Sequence, residues 1–168
     1  MSLEGATLAG AMMHVAFVLS VRGIPQLYAG EEIAMEGKED PDNRRDFPSE
    51  AFRAEGRTAQ QREMFDWTRA WIRLRRDHPA LRSGKLIDLF SDDETYVFAR
   101  QLGTETILVA FNRENKLKQI SVPVGSIDIK DGVTFKSLIG PATRARVVNG
   151  EAKLNVPPKA AMAFVFSR

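Results

Sequence analysis

The spacing of apolar residues changes near Gly84, and this change limits the folds that are open to the chain. Before Gly84, apolar residues recur at helical spacing over two long segments. After it, they alternate with polar residues over short segments separated by Gly, Asp, Asn and Pro, a pattern typical of antiparallel strands. We therefore predict a mainly helical part over residues 6–84 and a separate β-domain over residues 85–168.

The β-domain contains eight predicted strands at even spacing, which favours an antiparallel β-sandwich. Tyr96 and Phe98 fall on the same face of one strand, as core residues would. The strands are predicted at residues 85–90, 95–101, 105–112, 118–122, 133–136, 145–148, 153–156 and 161–167.

The first part contains two predicted helices. Residues 6–21 are nearly all apolar and predict a helix buried on most sides, with His14 as an interior histidine. The run is shorter than the roughly 18 apolar residues that a membrane span needs, so no membrane segment is predicted. A second helix is predicted from Thr58, which forms a capping-box pattern with Gln61, to about Arg76.

A short apolar segment between the helices predicts a buried strand. Glycines bracket the segment, and Pro25 suits the first position of a strand, which leaves residues 26–29 as the paired part. Glu31 and Glu32 follow it, and a loop leads from there to the second helix. A strand followed by a loop and a helix is the repeating unit of α/β barrels, in which functional groups lie at the C-terminal ends of strands.

Composition excludes several classes of function. The net charge of +2 on 168 residues is close to balance, so neither a nucleic-acid nor a membrane partner is predicted. The absence of cysteine excludes disulfides, thiolate zinc sites and a cysteine nucleophile. Residues 1–5 are interpreted as a cloning scar, because the apolar run begins at Ala6 with no capping residue. The cellular compartment is left open.

Three blocks of sequence occur in a specific order. They are Gly23-Ile24-Pro25-x-Leu27-Tyr28-x-Gly30-x-Glu32, then Asp40-Pro41-Asp42-Asn43-Arg44-Arg45-x-Phe47-Pro48, then Ile72-Arg73-Leu74-Arg75-Arg76 with His78-Pro79-Ala80-Leu81-Arg82-x-Gly84. Together they resemble the alpha-amylase family of glycoside hydrolases, and the second block is most similar to cyclomaltodextrinases, neopullulanases and maltogenic amylases. The resemblance covers the chain after residue 5.

The resemblance implies a fragment of α+β class. Residues 6–84 would be a helix-strand-helix remnant of a TIM (β/α)8 barrel catalytic domain, and residues 85–168 the antiparallel β-sandwich that follows the barrel in this family. The parent protein would cleave α-1,4-glucosidic bonds of maltodextrins or cyclomaltodextrins by a retaining mechanism that needs no cofactor. Whether it hydrolyses or transglycosylates is left open.

The same resemblance places the catalytic residues outside this chain. The family's nucleophilic aspartate, its acid/base glutamate and its third acid lie in sequence blocks that do not occur here. Adjacent residues on extended backbone point to opposite faces, so Glu31 and Glu32 are not expected to form the close carboxylate pair of a retaining glycosidase. One of the two is expected to lie buried against an arginine or a backbone amide. We predict no catalytic residue here and an inactive chain.

Three residues are predicted to support sugar binding by resemblance. Asp40 and Arg44 match loop positions that hydrogen-bond the sugar on the non-reducing side of the cleavage point, and Glu32 matches a supporting position near the floor of the cleft. A carboxylate accepts from adjacent hydroxyls and a guanidinium donates in a fixed fork, so such a pair suits a glucose edge. Alternatively, Asp40 and Arg44 merely pair with each other. Ala29 and Glu31 depart from the family's usual tyrosine and aspartate, which leaves the exact sugar open.

Further alternatives concern metal binding, module function and assembly. Four acidic residues of the loop suggest a calcium site, but neighbouring arginines and the absence of an EF-hand-like pattern disfavour it, and no metal is predicted. The β-domain could instead be a non-catalytic module that caps the barrel or binds glucan; with few aromatics available, a packing role is preferred. Because an isolated barrel strand would expose its edges, the chain is expected to form a dimer or a larger assembly. The four acidic residues are Glu36, Glu39, Asp40 and Asp42.

Overall fold

A computed structural model describes residues 7–167. It contains helices α1 (Leu8–Ser20), α2 (Ala59–Asp77) and α3 (Pro79–Ser83). Both long predicted helices are confirmed. The connection from α1 to α2 holds four short 3-10 helices, at Glu31–Ile33, Asp42–Arg44, Ser49–Phe52 and Ala54–Gly56.

The start of α1 differs from the prediction. The hydroxyl of Thr7 accepts a hydrogen bond from the Gly10 amide at 3.1 Å and caps the helix. The expectation of an uncapped start at Ala6 was therefore wrong. Residues 1–5, which were interpreted as a cloning scar, lie outside the described residues.

The predicted capping box opens α2. The Gln61 amide donates to the Thr58 hydroxyl at 3.2 Å, and the Thr58 amide donates to the Gln61 side chain at 2.9 Å. Together these bonds satisfy two of the amides that the first turn of a helix leaves free. At the other end His78 closes α2, and Pro79 opens α3.

The strand predicted at residues 26–29 is not formed. Residues 24–28, which we call the arm, carry no regular secondary structure and make no ladder with any described strand. The side chain of Ile24 is 98% exposed, and Tyr28 is 57% exposed. The local signals for a strand are present, but a strand also needs a neighbour to pair with its backbone.

All eight predicted strands form, with ends that shift by up to three residues. They make one antiparallel sheet in the order β1-β2-β3-β8-β5-β6-β7-β4, and its two edge strands, β1 and β4, contact each other. The curved sheet therefore packs its two halves face to face, as a β-sandwich does. The strands are β1 (Lys85–Ser91), β2 (Thr95–Leu102), β3 (Glu105–Asn112), β4 (Lys118–Pro123), β5 (Thr134–Ile139), β6 (Arg144–Val148), β7 (Glu151–Val156) and β8 (Ala160–Ser167).

The central strands are buried on both faces. Phe98, Val109 and Ala163 lie side by side across β2, β3 and β8 and pack in one buried cluster with Trp71 of α2 and Val15 of α1. The opposite face packs against the second half of the sheet in another buried cluster. The layers are thus helices, sheet and sheet. Because the helices and β2 share one hydrophobic core, the helical part and the β-domain pack against each other across the boundary near Gly84.

No described helix is both long enough and apolar enough to cross a bilayer.

Candidate functional site

The candidate site is the acidic loop, residues 30–48, which begins at a glycine with positive φ. Gly30 has φ of 95°, and its carbonyl accepts from the amides of Ile33 and Met35 at 3.2 and 2.8 Å. A Cβ on residue 30 would lie 2.8 Å from the Met35 Cβ. Glycine is therefore required at this turn. Ile33 is fully buried and anchors the loop next to α2.

Glu31 and Glu32 both fold back onto backbone amides. Glu31 Oε2 accepts from the Tyr28 amide at 3.1 Å, and Glu32 Oε2 accepts from the Gly30 amide at 2.8 Å. The expectation that one of them lies against a backbone amide holds for both, although each is only partly buried. They lie on a 3-10 helix rather than on extended backbone, so the argument from opposite faces of a strand does not apply.

His14 lies on the surface and not in the core. Its side chain is 59% exposed, and its Nε2 atom is 3.9 Å from Glu31 Oε1. The prediction of an interior histidine was wrong, because His14 is exposed and lies outside the buried cluster that α1 forms with α2 and the sheet.

Asp40 and Arg44 are close together and open to solvent. Arg44 Nε is 3.1 Å from Asp40 Oδ1, and both side chains are largely exposed, at 73% and 65%. The ion pair expected in the alternative prediction is thus present. An exposed ion pair contributes little to stability, so the pair can exchange its bond for one to a sugar hydroxyl at small cost. The sugar-binding role of both residues stays a prediction.

A second ion pair in the same loop holds it in shape. Arg45 donates from Nε and Nη2 to the two carboxylate oxygens of Asp42, at 2.7 and 2.8 Å, and the Lys38 amide donates to Asp42 at 2.7 Å. These bonds hold the pKa of Asp42 below its usual value and raise the pKa of Arg45. Sequence reasoning missed this pair, although its spacing of three residues suits a helical turn.

A cavity of about 500 Å³ opens beside the loop. Arg44 lies on its wall, whereas Asp40 and Glu32 are not among the lining residues. Tyr28, for which the sequence predicted no separate role, adds an exposed aromatic ring to the wall. The wall is formed by Tyr28, Ala29, Gly30, Glu31, Met35, Glu36, Gly37, Asn43 and Arg44.

The cavity combines groups that suit a polar, uncharged ligand with many hydroxyls. The wall carries an aromatic ring, a guanidinium, an amide and two carboxylates, so it offers both donors and acceptors. Within residues 7–167, no three acidic or histidine side chains converge as a metal site would require. The calcium alternative therefore gains no support from the described part of the loop.

Comparison with known proteins places the β-domain in a family. Residues 84–163 match the family described as the alpha-amylase C-terminal domain. An amylopullulanase of Thermoanaerobacterium thermosulfurigenes is 30% identical over 146 residues, which is 80% of this chain and 7% of that protein. A cyclomaltodextrinase of Geobacillus thermopakistaniensis is 33% identical over 110 residues, which is 64% of this chain and 18% of that protein.

Solved structures agree with these relatives. An alpha-amylase from Geobacillus thermoleovorans, crystallised with acarbose, shares the fold with a TM-score of 0.83 at 22% identity, over 96% of this chain and 34% of that chain. A debranching enzyme from Nostoc punctiforme gives a TM-score of 0.76 at 29% identity, over 95% of this chain and 31% of that chain. The chain thus spans about a third of these structures and less than a fifth of the two curated relatives. Residues 84–163 therefore match the alpha-amylase C-terminal domain family, and the chain as a whole resembles the C-terminal part of alpha-amylase-family enzymes.

Proposed function

We propose that the chain is the C-terminal part of a retaining glycoside hydrolase that cleaves α-1,4-glucosidic bonds in maltodextrins or cyclomaltodextrins. The catalytic carboxylates lie outside this chain, so the chain alone is inactive. The observation that carries the proposal is the match of residues 84–163, joined to a loop that presents Arg44 on the wall of a polar cavity. The cyclomaltodextrinase and amylopullulanase relatives support the substrate class.

The helical part corresponds to the last unit of a (β/α)8 barrel. The order of α1, arm, acidic loop and α2 is that of a barrel unit, with the arm in the position of the strand. The arm pairs with no described strand, as expected of a barrel strand whose two neighbouring strands belong to another part of the parent protein. The acidic loop then lies at the C-terminal end of that strand, where barrel enzymes bind their substrates.

Within this site, Asp40 and Arg44 bind one sugar unit through hydrogen bonds, and Glu32 stabilises the loop. The Arg44 guanidinium donates to sugar oxygens from the cavity wall, and the exposed Asp40 carboxylate accepts from neighbouring hydroxyls. Glu32 does not contact the sugar, because its carboxylate accepts a hydrogen bond from the Gly30 amide. None of these residues attacks the glycosidic bond.

The β-domain has a packing role in this proposal. Its central strands are buried on both faces, which leaves few side chains for a ligand. In its described part, the exposed large apolar side chains are Leu102, Leu117, Leu138 and Val148, and none is aromatic. Aromatic platforms are a common means of holding sugar rings, so this surface favours a structural module over a glucan-binding one.

A chimera tests the sugar-binding role of the loop. This chain replaces the matching segment of the Geobacillus thermopakistaniensis cyclomaltodextrinase, and release of reducing sugar from cyclomaltodextrin is measured. Changing Arg44 or Asp40 to alanine is expected to raise KM or lower kcat/KM by about tenfold to a hundredfold, the cost of losing hydrogen bonds between charged groups and a ligand. Arg69→Ala removes another solvent-exposed arginine, whose ion pair with Asp66 lies on α2, and serves as the control. Equal kinetics for Arg44→Ala and Arg69→Ala would refute the assignment.

The exposed arm also leads us to propose that the isolated chain self-associates. Ile24 is almost fully exposed, and Ile72 of α2 is 46% exposed beside an apolar cavity that the arm helps to line. Such surfaces and free backbone edges favour association. Light scattering at micromolar concentration is expected to report a dimer or a larger species, and a monomer at that concentration would contradict this.

A further inference from the structure

Two arginine side chains are buried where the three helices meet β2. Arg75 on α2 is 8% exposed, and Arg100 on β2 is fully buried. Among the described residues, neither forms an ion pair with a carboxylate. Burial lowers the pKa of both guanidiniums, and the charge of a nearby arginine lowers it further, Arg82 for Arg75 and Arg75 for Arg100. Placing two cations here is costly unless their partners compensate.

Backbone carbonyls are those partners. The last turn of a helix leaves its carbonyls without partners and carries the negative end of the helix dipole, so a guanidinium is well placed there. Most of the acceptors lie at or just beyond the end of α1. Arg75 donates to the carbonyls of Leu19 (2.9 Å), Val21 (3.2 Å), Leu81 (2.7 Å) and Gly23 (2.7 Å), and Arg100 donates to those of Ser20 (2.6 Å) and Gly84 (3.0 Å).

The two arginines fix more of the chain than the C-terminal end of α1. An apolar side chain in place of a buried ion often stabilises a protein, so stability alone does not explain two arginines at this position. The Nε atom of Arg100 is buried without a hydrogen-bond partner, which adds to the cost. Arg75 fixes the non-helical segment from Val21 to Gly23 through two of its carbonyls, and this segment has few other hydrogen bonds. Arg100 holds the Ser20 carbonyl at the end of α1, directly before this segment.

That segment leads directly into the arm. The arm has no sheet partner, and its first fixed point is the Gly23 carbonyl that Arg75 holds. Its other end is Tyr28, whose amide donates to Glu31 at the start of the acidic loop. The loop is anchored on α2 beyond this point, since Ala34 belongs to the same buried cluster as α2. The position of Tyr28 therefore depends on both anchors.

We propose that Arg75 and Arg100 are positioning residues that fix the arm and, through it, the wall of the acidic-loop cavity. Arg100 belongs to the β-domain, so this domain contributes to glucan binding without touching the sugar. The link to glucan rests on the function proposed above. The link to the arm rests only on the hydrogen bonds and burial of the two side chains.

Residue-specific amide hydrogen exchange on the whole chain tests the positioning. Arg75→Lys and Arg100→Lys keep the charge but lose the fork that joins several carbonyls. Both are expected to accelerate exchange at the Tyr28 and Gly30 amides by about tenfold or more, while Val109 in β3 exchanges as before. The control is Arg76→Lys, next to Arg75 in sequence but exposed and paired with Asp77, which should change none of these rates.

Two results would overturn the proposal. One is unchanged exchange at Tyr28 and Gly30, and the other is equal acceleration there and at Val109, which would show a merely structural role. If Arg100→Lys does not fold, Arg100→Met fills similar space without a charge and must give the same local acceleration.

Titration of the same variants with maltotriose tests the link to glucan. The two lysine variants at Arg75 and Arg100 are expected to bind about tenfold more weakly than the unaltered chain and the Arg76→Lys control. Faster exchange with unchanged affinity would refute the link to the sugar. Failure of the unaltered chain to bind maltotriose would instead count against the sugar-binding role proposed for Asp40 and Arg44, while the exchange rates would still decide the positioning.

Discussion

Replacing Phe98 by alanine should destabilise the helical part and the β-domain together. Phe98 is fully buried on the face of β2 that packs against the helices, with its ring centroid 5.1 Å from that of Tyr96 and 6.3 Å from that of Phe111. Truncation of a buried phenylalanine costs about 3–5 kcal/mol, and the two aromatic neighbours place Phe98 in the upper half of that range. A loss of about 4 kcal/mol corresponds to a Tm lower by about 8–16 °C for a chain of this size.

The chain supplies its own probes for this experiment. Its two tryptophans, Trp67 and Trp71, both lie on α2, so their fluorescence reports the helical part, and far-UV circular dichroism is followed in the same urea titration. If the two parts share one core, both transitions should coincide and shift equally in Phe98→Ala. Leu102→Ala, at the exposed end of β2, is the control and should change the free energy of unfolding by less than about 0.5 kcal/mol. Separate transitions, with fluorescence unaffected by Phe98→Ala, would refute a shared core.

Three further changes have directions that the structure determines. Gly30→Ala should destabilise the acidic loop by about 1–3 kcal/mol, because of its positive φ and the crowding by Met35, and faster amide exchange at Met35 would show it. Thr58→Ala should cost about 1 kcal/mol in urea unfolding through the lost cap of α2. Burial and the hydrogen bond to Asp88 raise the pKa of Tyr96 to about 12. Its contribution to stability is therefore complete below about pH 10 and is lost as the pH rises towards 12, and Tyr96→Phe should remove this dependence.

Much of the β-domain could be predicted because its signal is local. In β7, buried and exposed residues alternate without exception, and Ala152, Leu154 and Val156 form the buried set. In β3, all residues from Thr106 to Asn112 are buried, which matches its continuous apolar run. A strand that is buried on one face has alternating apolar residues, and a strand that is buried on both faces has a continuous apolar run. Both patterns can be read directly from the sequence.

The errors arise where structure depends on distant partners. Residues 26–29 have the composition of a strand, yet the backbone of a strand needs neighbours, and none of the described strands lies beside them. His14 lies in a nearly uniform apolar run, so the spacing could not show which side of α1 stays uncovered. Buried arginines were missed for the same reason, since the carbonyls that hold Arg75 come from residues more than 50 positions earlier as well as from nearby Leu81.

The candidate site was predictable only in part. Resemblance pointed to Asp40 and Arg44, and the structure brings them together in the loop. It did not point to Tyr28 as a wall residue, nor to the bidentate pair of Asp42 and Arg45, because both depend on how the loop folds rather than on its composition.

Activity of the chimeric cyclomaltodextrinase is the most direct test of the account. The chain alone and the chimera are each incubated with cyclomaltodextrin and pullulan, and the reducing sugar released is measured. We expect no release by the chain alone and clear release by the chimera, because the catalytic carboxylates come from the relative and the sugar-binding loop from this chain. Turnover by the chain alone would contradict the account and would make Glu31, Glu32 and Asp40 the first candidates for catalysis. A folded but inactive chimera would contradict the proposal that the acidic loop completes an amylase-type site.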